Sequence, residues 1–236
     1  MKVYRLIFFL YVSFIGVLLA FAGCDNPIFH PPAPTPKQDP GRTFKLCLFK
    51  MKEAGFTLNR DIETDAVYED WQHTLVYHRD TIAALYIALG DATRSWPPHD
   101  FSDCCWHFET RSIVTTGSYV NILLHLRRIS KGDLNFEDCR DYCNEKEDGK
   151  AWVAFRFAGE EIKWDLKVNE DYVDGELFNK IQDLCKKYHK KGRLTFYPEG
   201  QAFVMSYLTA DEFRHIRRVT GLKLELLHMV DDVNVP

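Results

Sequence analysis

The chain has 236 residues, enough for one large domain or two small ones, and its 46% hydrophobic and 27% charged residues are the balance of a globular protein. Its formal net charge is −4, and because Lys2 and Arg5 stand in a start that holds no acid, the remainder carries −6. A mildly acidic body lacks the basic footprint of a nucleic-acid binder, and that class is set aside.

Residues 1–5, MKVYR, are basic, and residues 6–22, LIFFLYVSFIGVLLAFA, carry no charge. A basic start, an apolar run and then small residues form the pattern of an export signal. The run of 17 residues is at the low edge of what spans a bilayer, so a retained membrane helix is the competing reading. The run ends on FAGC, residues 21–24, which resembles the lipobox of bacterial lipoproteins. Ala22, Gly23 and Cys24 match that pattern, while Phe21 stands where leucine is usual. The resemblance implies cleavage between Gly23 and Cys24 and a diacylglyceryl group on the Cys24 sulfur. It therefore implies a protein anchored to the cell membrane by lipid and facing the periplasm. Asp25 resembles the signal that keeps enteric lipoproteins in the inner membrane. Two or more acyl chains suffice for stable anchoring.

Behind Cys24, residues 25–41 hold Pro27, Pro31, Pro32, Pro34, Pro36 and Pro40. Proline lacks a backbone donor and fixes φ, so this stretch is expected to join no helix or sheet. It reads as a semi-rigid tether of roughly 3 Å per residue, about 50 Å overall. The expected organisation is a signal at 1–23, lipidated cysteine and tether at 24–42, a helical or mixed part at 43–130 and an α+β part at 131–236. A continuous domain over 43–236 is the alternative.

TFKLCLF, residues 43–49, alternates Phe44, Leu46 and Leu48 against Cys47 and is expected to be a strand. From Thr64, helical spacing takes over through Tyr68, Trp71, Leu75, Ile82, Leu85 and Leu89, which predicts one long or two short helices to about residue 94, before WPP at 96–98. Residues 99–112 read as a loop. Residues 113–129 fit either period, and their early β-branched residues favour a strand. NFEDCRDYC reads as a short helix with Asn135 as its N-cap. Two strands around Gly159-Glu160 then make a hairpin, and a helix follows from about Asp174 to His189, with Leu177, Phe178, Ile181, Leu184 and Cys185 on its apolar stripe. A second hairpin turns at PEG. Thr209 and Glu212 form a capping box opening a helix that ends at Gly221, and LKLELL closes as a strand. The order ββα-ββα-β behind a helical N-terminal part predicts an α+β fold, an antiparallel sheet with helices on one face.

With Cys24 taken by lipid, six cysteines remain: Cys47, Cys104, Cys105, Cys139, Cys143 and Cys185. An even number in an exported body is expected to form disulfides. Fifteen connectivities are open. The favoured one joins the Cys104–Cys105 loop to Cys139 and Cys143, read as one helical turn apart, and leaves Cys47 and Cys185 to pair or stay buried. Zinc on Cys104 or Cys105 with His107, Cys139 and Cys143 is the rival, but CCWH and CRDYC fit metal-ligand spacing poorly. No metal or other cofactor is expected.

The chain holds no G-x-S-x-G, H-E-x-x-H, Walker or G-x-G-x-x-G motif. YHRD at 77–80 contains the kinase catalytic-loop tripeptide without its companions. The acidic loop NEDYVDGE, residues 169–176, offers a partner-binding edge, with Tyr172 as anchor and Asp171 and Asp174 as steering charges. The leading expectation is a non-enzymatic lipoprotein that binds a protein partner. Its sharpest form is an immunity protein neutralising a secreted antibacterial toxin, and the body loosely resembles immunity lipoproteins. The alternative is a structural subunit of an envelope or secretion assembly. A third reading, a hydrolase, requires a cleft uniting His107 or His125 with carboxylates of perturbed pKa.

Overall fold

Asp39 and Pro40 decide how the body begins. In the computed structural model, which describes residues 39–227 apart from 114, 145–148 and 169, the Asp39 carboxylate accepts the Gly41 amide at 3.0 Å and Pro40 takes the first helical position. The export signal, Cys24 and the tether as far as residue 38 lie outside the described residues. Helix α1 (Pro40–Glu53) replaces the expected strand at 43–49, and Pro40, assigned to the tether, starts a helix. Phe44, Cys47, Leu48 and Met51 are buried at the i, i+3, i+4, i+7 spacing of a helix, while Leu46 and Phe49 stand in solvent.

The next two helices are α2 (Thr64–Leu75) and α3 (Thr81–Gly90). Asp80 caps α3 by accepting the Ile82 and Ala83 amides, and every residue from Ile82 to Gly90 is buried. Trp71 packs on Phe44 and donates its indole N–H to the Thr81 carbonyl at 3.0 Å. Among the described residues no helix is long and apolar enough to cross a membrane.

Three further expectations change. Strand β1 (Trp106–Glu109) lies inside the expected loop. The segment favoured as a strand forms helix α4 (Ser118–Ile129), which buries Tyr119, Ile122, Leu123, Leu126 and Ile129. The expected short helix is strand β2 (Glu137–Asn144), hydrogen-bonded to β3 (Lys150–Phe157) with a register break between Glu137 and Arg140. Asn135 caps nothing there; its amide donates to Glu137. Asp141 on β2 joins the two corrected elements, since its carboxylate accepts the Gly117 and Val120 amides at the start of α4.

The C-terminal pattern is as read. β3 turns into β4 (Glu160–Leu166) through Ala158 and Gly159 at φ 51° and 84°, one residue earlier than expected, and both positive φ values suit a tight hairpin. Helix α5 (Glu176–Lys187) buries its apolar stripe. The hairpin of β5 (Arg193–Glu199) and β6 (Ala202–Leu208) leads into α6 (Ala210–Thr220), which has its capping box and its Gly221 C-cap at φ 76°. LKLELL contributes only the two-residue strand β7 (Glu225–Leu226).

The fold is α+β, built on two antiparallel sheets, β1-β6-β5-β7 and β2-β3-β4. The four-stranded sheet is the middle layer. On β6, Val204 and Leu208 face a helical core made by α1, α2, α3 and α6, while Phe203 and Met205 face a second core with α4, α5 and the three-stranded sheet. Helices therefore cover both faces of this sheet, because alternate residues of β6 are apolar on both sides.

Candidate functional site

Gly90 ends α3 where the helix meets β1. A Cβ here would lie 2.6 Å from the His107 amide nitrogen, so glycine is what allows the two backbones to meet. That approach sets Asp91 beside His107. Alternation along β1 sends Trp106 and Phe108 into the second core and His107 to the opposite side.

His107 Nδ1 lies 2.8 Å from Asp91 Oδ1, and Nε2 lies 3.0 Å from Glu199 Oε2. The second contact is close but not aligned as a hydrogen bond, so it acts through charge. Glu199 closes β5, and its Oε1 is 2.9 Å from His78 Nε2 in the α2–α3 loop. The Asp91 charge also acts on Asp70 of α2. Five ionisable groups, Asp70, Asp91, His107, Glu199 and His78, thus link α2, the α3 exit, β1, β5 and the α2–α3 loop. Their side chains are between 18% and 35% exposed.

Burial opposes a charge on His107, but the Asp91 hydrogen bond and the charges of Asp91, Glu199 and Glu109 outweigh it and raise the ring's pKa above its ordinary 6.5. Burial and the Asp91 charge push the Asp70 carboxyl up to about 6, with Arg94 and His73 partly offsetting them. A depression of about 340 Å³ between β1 and the start of α4 is lined by His107, Glu109, Ser112, Ser118 and Asn121. Of the five clustered groups, only His107 lines this depression, and the carboxyl of raised pKa, Asp70, lies away from it. Both ring nitrogens also face carboxylates, whereas a general base needs one turned to its substrate. The arrangement favours a proton on His107 and ties segments together.

Those segments carry the most exposed aromatic groups. His78 fixes the α2–α3 loop directly after Val76 and Tyr77, which are 74% and 84% exposed. Asp91 fixes the base of the loop bearing Trp96, which is 93% exposed. This loop is closed by the Ala92–Asp100 bridge and by backbone bonds from Thr93 to His99 at 2.8 Å and from Phe101 to Asp91 at 2.9 Å. Trp96 therefore projects from a hydrogen-bonded support. In sequence the WPP run around Trp96 marks only a helix stop.

The residues expected to form a binding edge have other work. Asp171 pairs with Arg111 at 2.9 Å, whose guanidinium lies 5.1 Å from the centre of the half-buried Tyr172 ring. Asp174 accepts the Lys167 and Glu176 amides, holding the end of β4 to the start of α5, so it is a cap and not a free steering charge. His125 stacks on Trp106, and burial and Arg128 lower its pKa.

Cys47, Cys104 and Cys105 pack in or against the helical core; Cys139, Cys143 and Cys185 pack in or against the second core. Cys139 and Cys143 lie along a strand, which replaces the expected helical turn between them. The favoured pairing would therefore link groups assigned to different cores. Among the described residues no three His, Cys, Asp or Glu side chains are placed to hold one metal ion, so the zinc set is not assembled.

No family model matches the chain, and neither a curated protein nor a solved structure matches it.

Proposed function

We propose that the chain is a lipid-anchored envelope protein, facing the periplasm, whose body captures a protein partner. The observation that carries the reading is Trp96 at the tip of a closed loop, with Tyr77 on a second fixed loop. Rigid exposed tryptophan and tyrosine lose little freedom on binding and are the usual anchors of protein interfaces. The sharpest form remains neutralisation of an antibacterial toxin.

Survival tests this. Cells challenged by a toxin-secreting rival should live when they make this protein and die when they make the Tyr77→Ala/Trp96→Ala form. Equal killing with and without the gene would sink the immunity reading, and purification within a multi-subunit assembly would replace it with the structural one. Anchoring is read separately. Cys24→Ala should shift the protein from the membrane to the soluble fraction with its body intact. Retention in the membrane would instead mark an uncleaved apolar helix.

A further inference from the structure

We infer that the outer faces of α1 and α6 form a membrane-contact surface, with Leu46 and Phe49 entering the interface and surrounding cations taking anionic lipid headgroups. At 100° per residue, Leu46 and Phe49 lie on the side of α1 opposite Phe44, Cys47, Leu48 and Met51. They are 59% and 60% exposed, an unusual placement for two large apolar residues on one helix. Arg42, Lys45, Lys50 and Lys52 surround them in solvent, and Glu53 is the one acid of the helix. An apolar strip flanked by lysine and arginine is the pattern of helices that lie in the bilayer interface.

Helix α6 extends the cationic surface. His215 Nε2 contacts the Glu53 carbonyl at the end of α1 at 2.9 Å, and Arg218 contacts the His215 ring at 3.0 Å. Arg214, Arg217, Arg218 and Lys223 line a shallow depression of about 410 Å³. Arg214 is shared with Asp211, and Glu212 is occupied in the capping box. These cations gather on a body whose net charge is negative, so they are concentrated and not a reflection of composition.

The choice of a lipid surface as occupant has a second support. Asp39 is 15 residues from Cys24 in sequence, which bounds the start of α1 to about 55 Å from the lipidated sulfur even at full extension. This step alone rests on the proposed anchor; the charge pattern does not.

The test uses the body from Asp39 to Pro236, which forms one compact unit containing both cores. It should sediment with vesicles of phosphatidylethanolamine and phosphatidylglycerol about tenfold better than with phosphatidylcholine vesicles. Leu46→Ser/Phe49→Ser and, separately, Arg217→Glu/Arg218→Glu should each reduce that binding about tenfold. Leu46 and Phe49 are solvent-facing, so circular dichroism and melting of that variant should stay as in the parent body. The arginine variant loses the Arg218–His215 contact and puts acids at the end of α6, so its circular dichroism should match the parent at the assay temperature while its melting falls slightly. Equal uptake by both kinds of vesicle, no uptake, or undiminished uptake by both variants would overturn the inference. So would binding to polyaspartate without binding to anionic vesicles, which would assign the surface to an acidic protein. Because this body lacks Cys24, failure here leaves the fractionation test of the anchor untouched.

Discussion

Gln182→Leu is expected to cost about 3 kcal/mol, although leucine nearly matches glutamine in size. Gln182 lies on α5 and is 4% exposed. Its amide nitrogen donates to the Leu194 and Leu227 carbonyls at 3.0 and 3.3 Å, and its oxygen accepts the Leu194 amide at 3.1 Å. One side chain therefore clips α5 to β5 and to the segment after β7. Leucine preserves the packing volume but leaves buried backbone groups without these partners, at about 1–3 kcal/mol for each group left unpaired. For a chain of this size that corresponds to a fall in Tm of roughly 6–12 °C. Asp183→Ala, at the neighbouring position with its side chain 72% exposed, is the control and should leave Tm nearly unchanged. Equal melting of Gln182→Leu and the parent chain would mean that water or backbone movement replaces these bonds.

Gln182 also shows what was legible in the sequence. The stripe of α5 could be read from Leu177, Phe178, Ile181, Leu184 and Cys185, but that a polar residue among them served β5 depended on chain 12 and 45 residues away. The same division holds elsewhere. Thr209, Glu212 and Gly221 state the two ends of α6 locally, and Ala158-Gly159 turns its own hairpin. At 43–49, by contrast, Phe44 and Leu48 satisfy both a period of two and a helical one. The deciding residues, Asp39, Pro40 and Met51, stood outside the stretch taken as a unit. Strand β2 has an acidic, helix-like start and becomes a strand because β3 offers it a partner. His107 was singled out as a possible active-site histidine. Its neighbours span residues 70 to 199, each with an ordinary local role, so no spacing announced the cluster. Trp96 was read for its prolines, although its exposure is the informative property.

Glu199→Gln is expected to cost about 2–3 kcal/mol at pH 6 and much less at pH 9. The pH dependence comes from His107. Its folded pKa is raised, so its contribution is complete below the ordinary value of 6.5 and is lost as pH rises through the folded value. Glutamine keeps the shape of Glu199 but removes one of the negative charges that favour the imidazolium. Breaking a fully buried ion pair costs about 3–5 kcal/mol, and partial solvent exposure lowers that figure here. Asp70 changes stability in the same direction. Its carboxyl is raised from 3.8 to about 6, so the stability linked to its protonation is complete below 3.8 and is lost as pH rises through about 6. Asp70→Asn should therefore match the parent chain near pH 3.5 and exceed it by about 1 kcal/mol at pH 7.5, after allowance for partial solvent screening. Denaturant unfolding from pH 3.5 to 9 measures both effects. A Glu199→Gln penalty that stays constant from pH 6 to 9 would show that His107 is not held as the imidazolium. The consequence reaches the proposed interface, because Glu199 holds His78 beside Tyr77, and His107 holds Asp91 at the base of the Trp96 loop. Amide exchange in Glu199→Gln should accelerate at residues 76–80 and 92–100 while the buried amides of α3 keep their protection. Loosened loops with the helix still protected would distinguish loss of this clasp from general destabilisation.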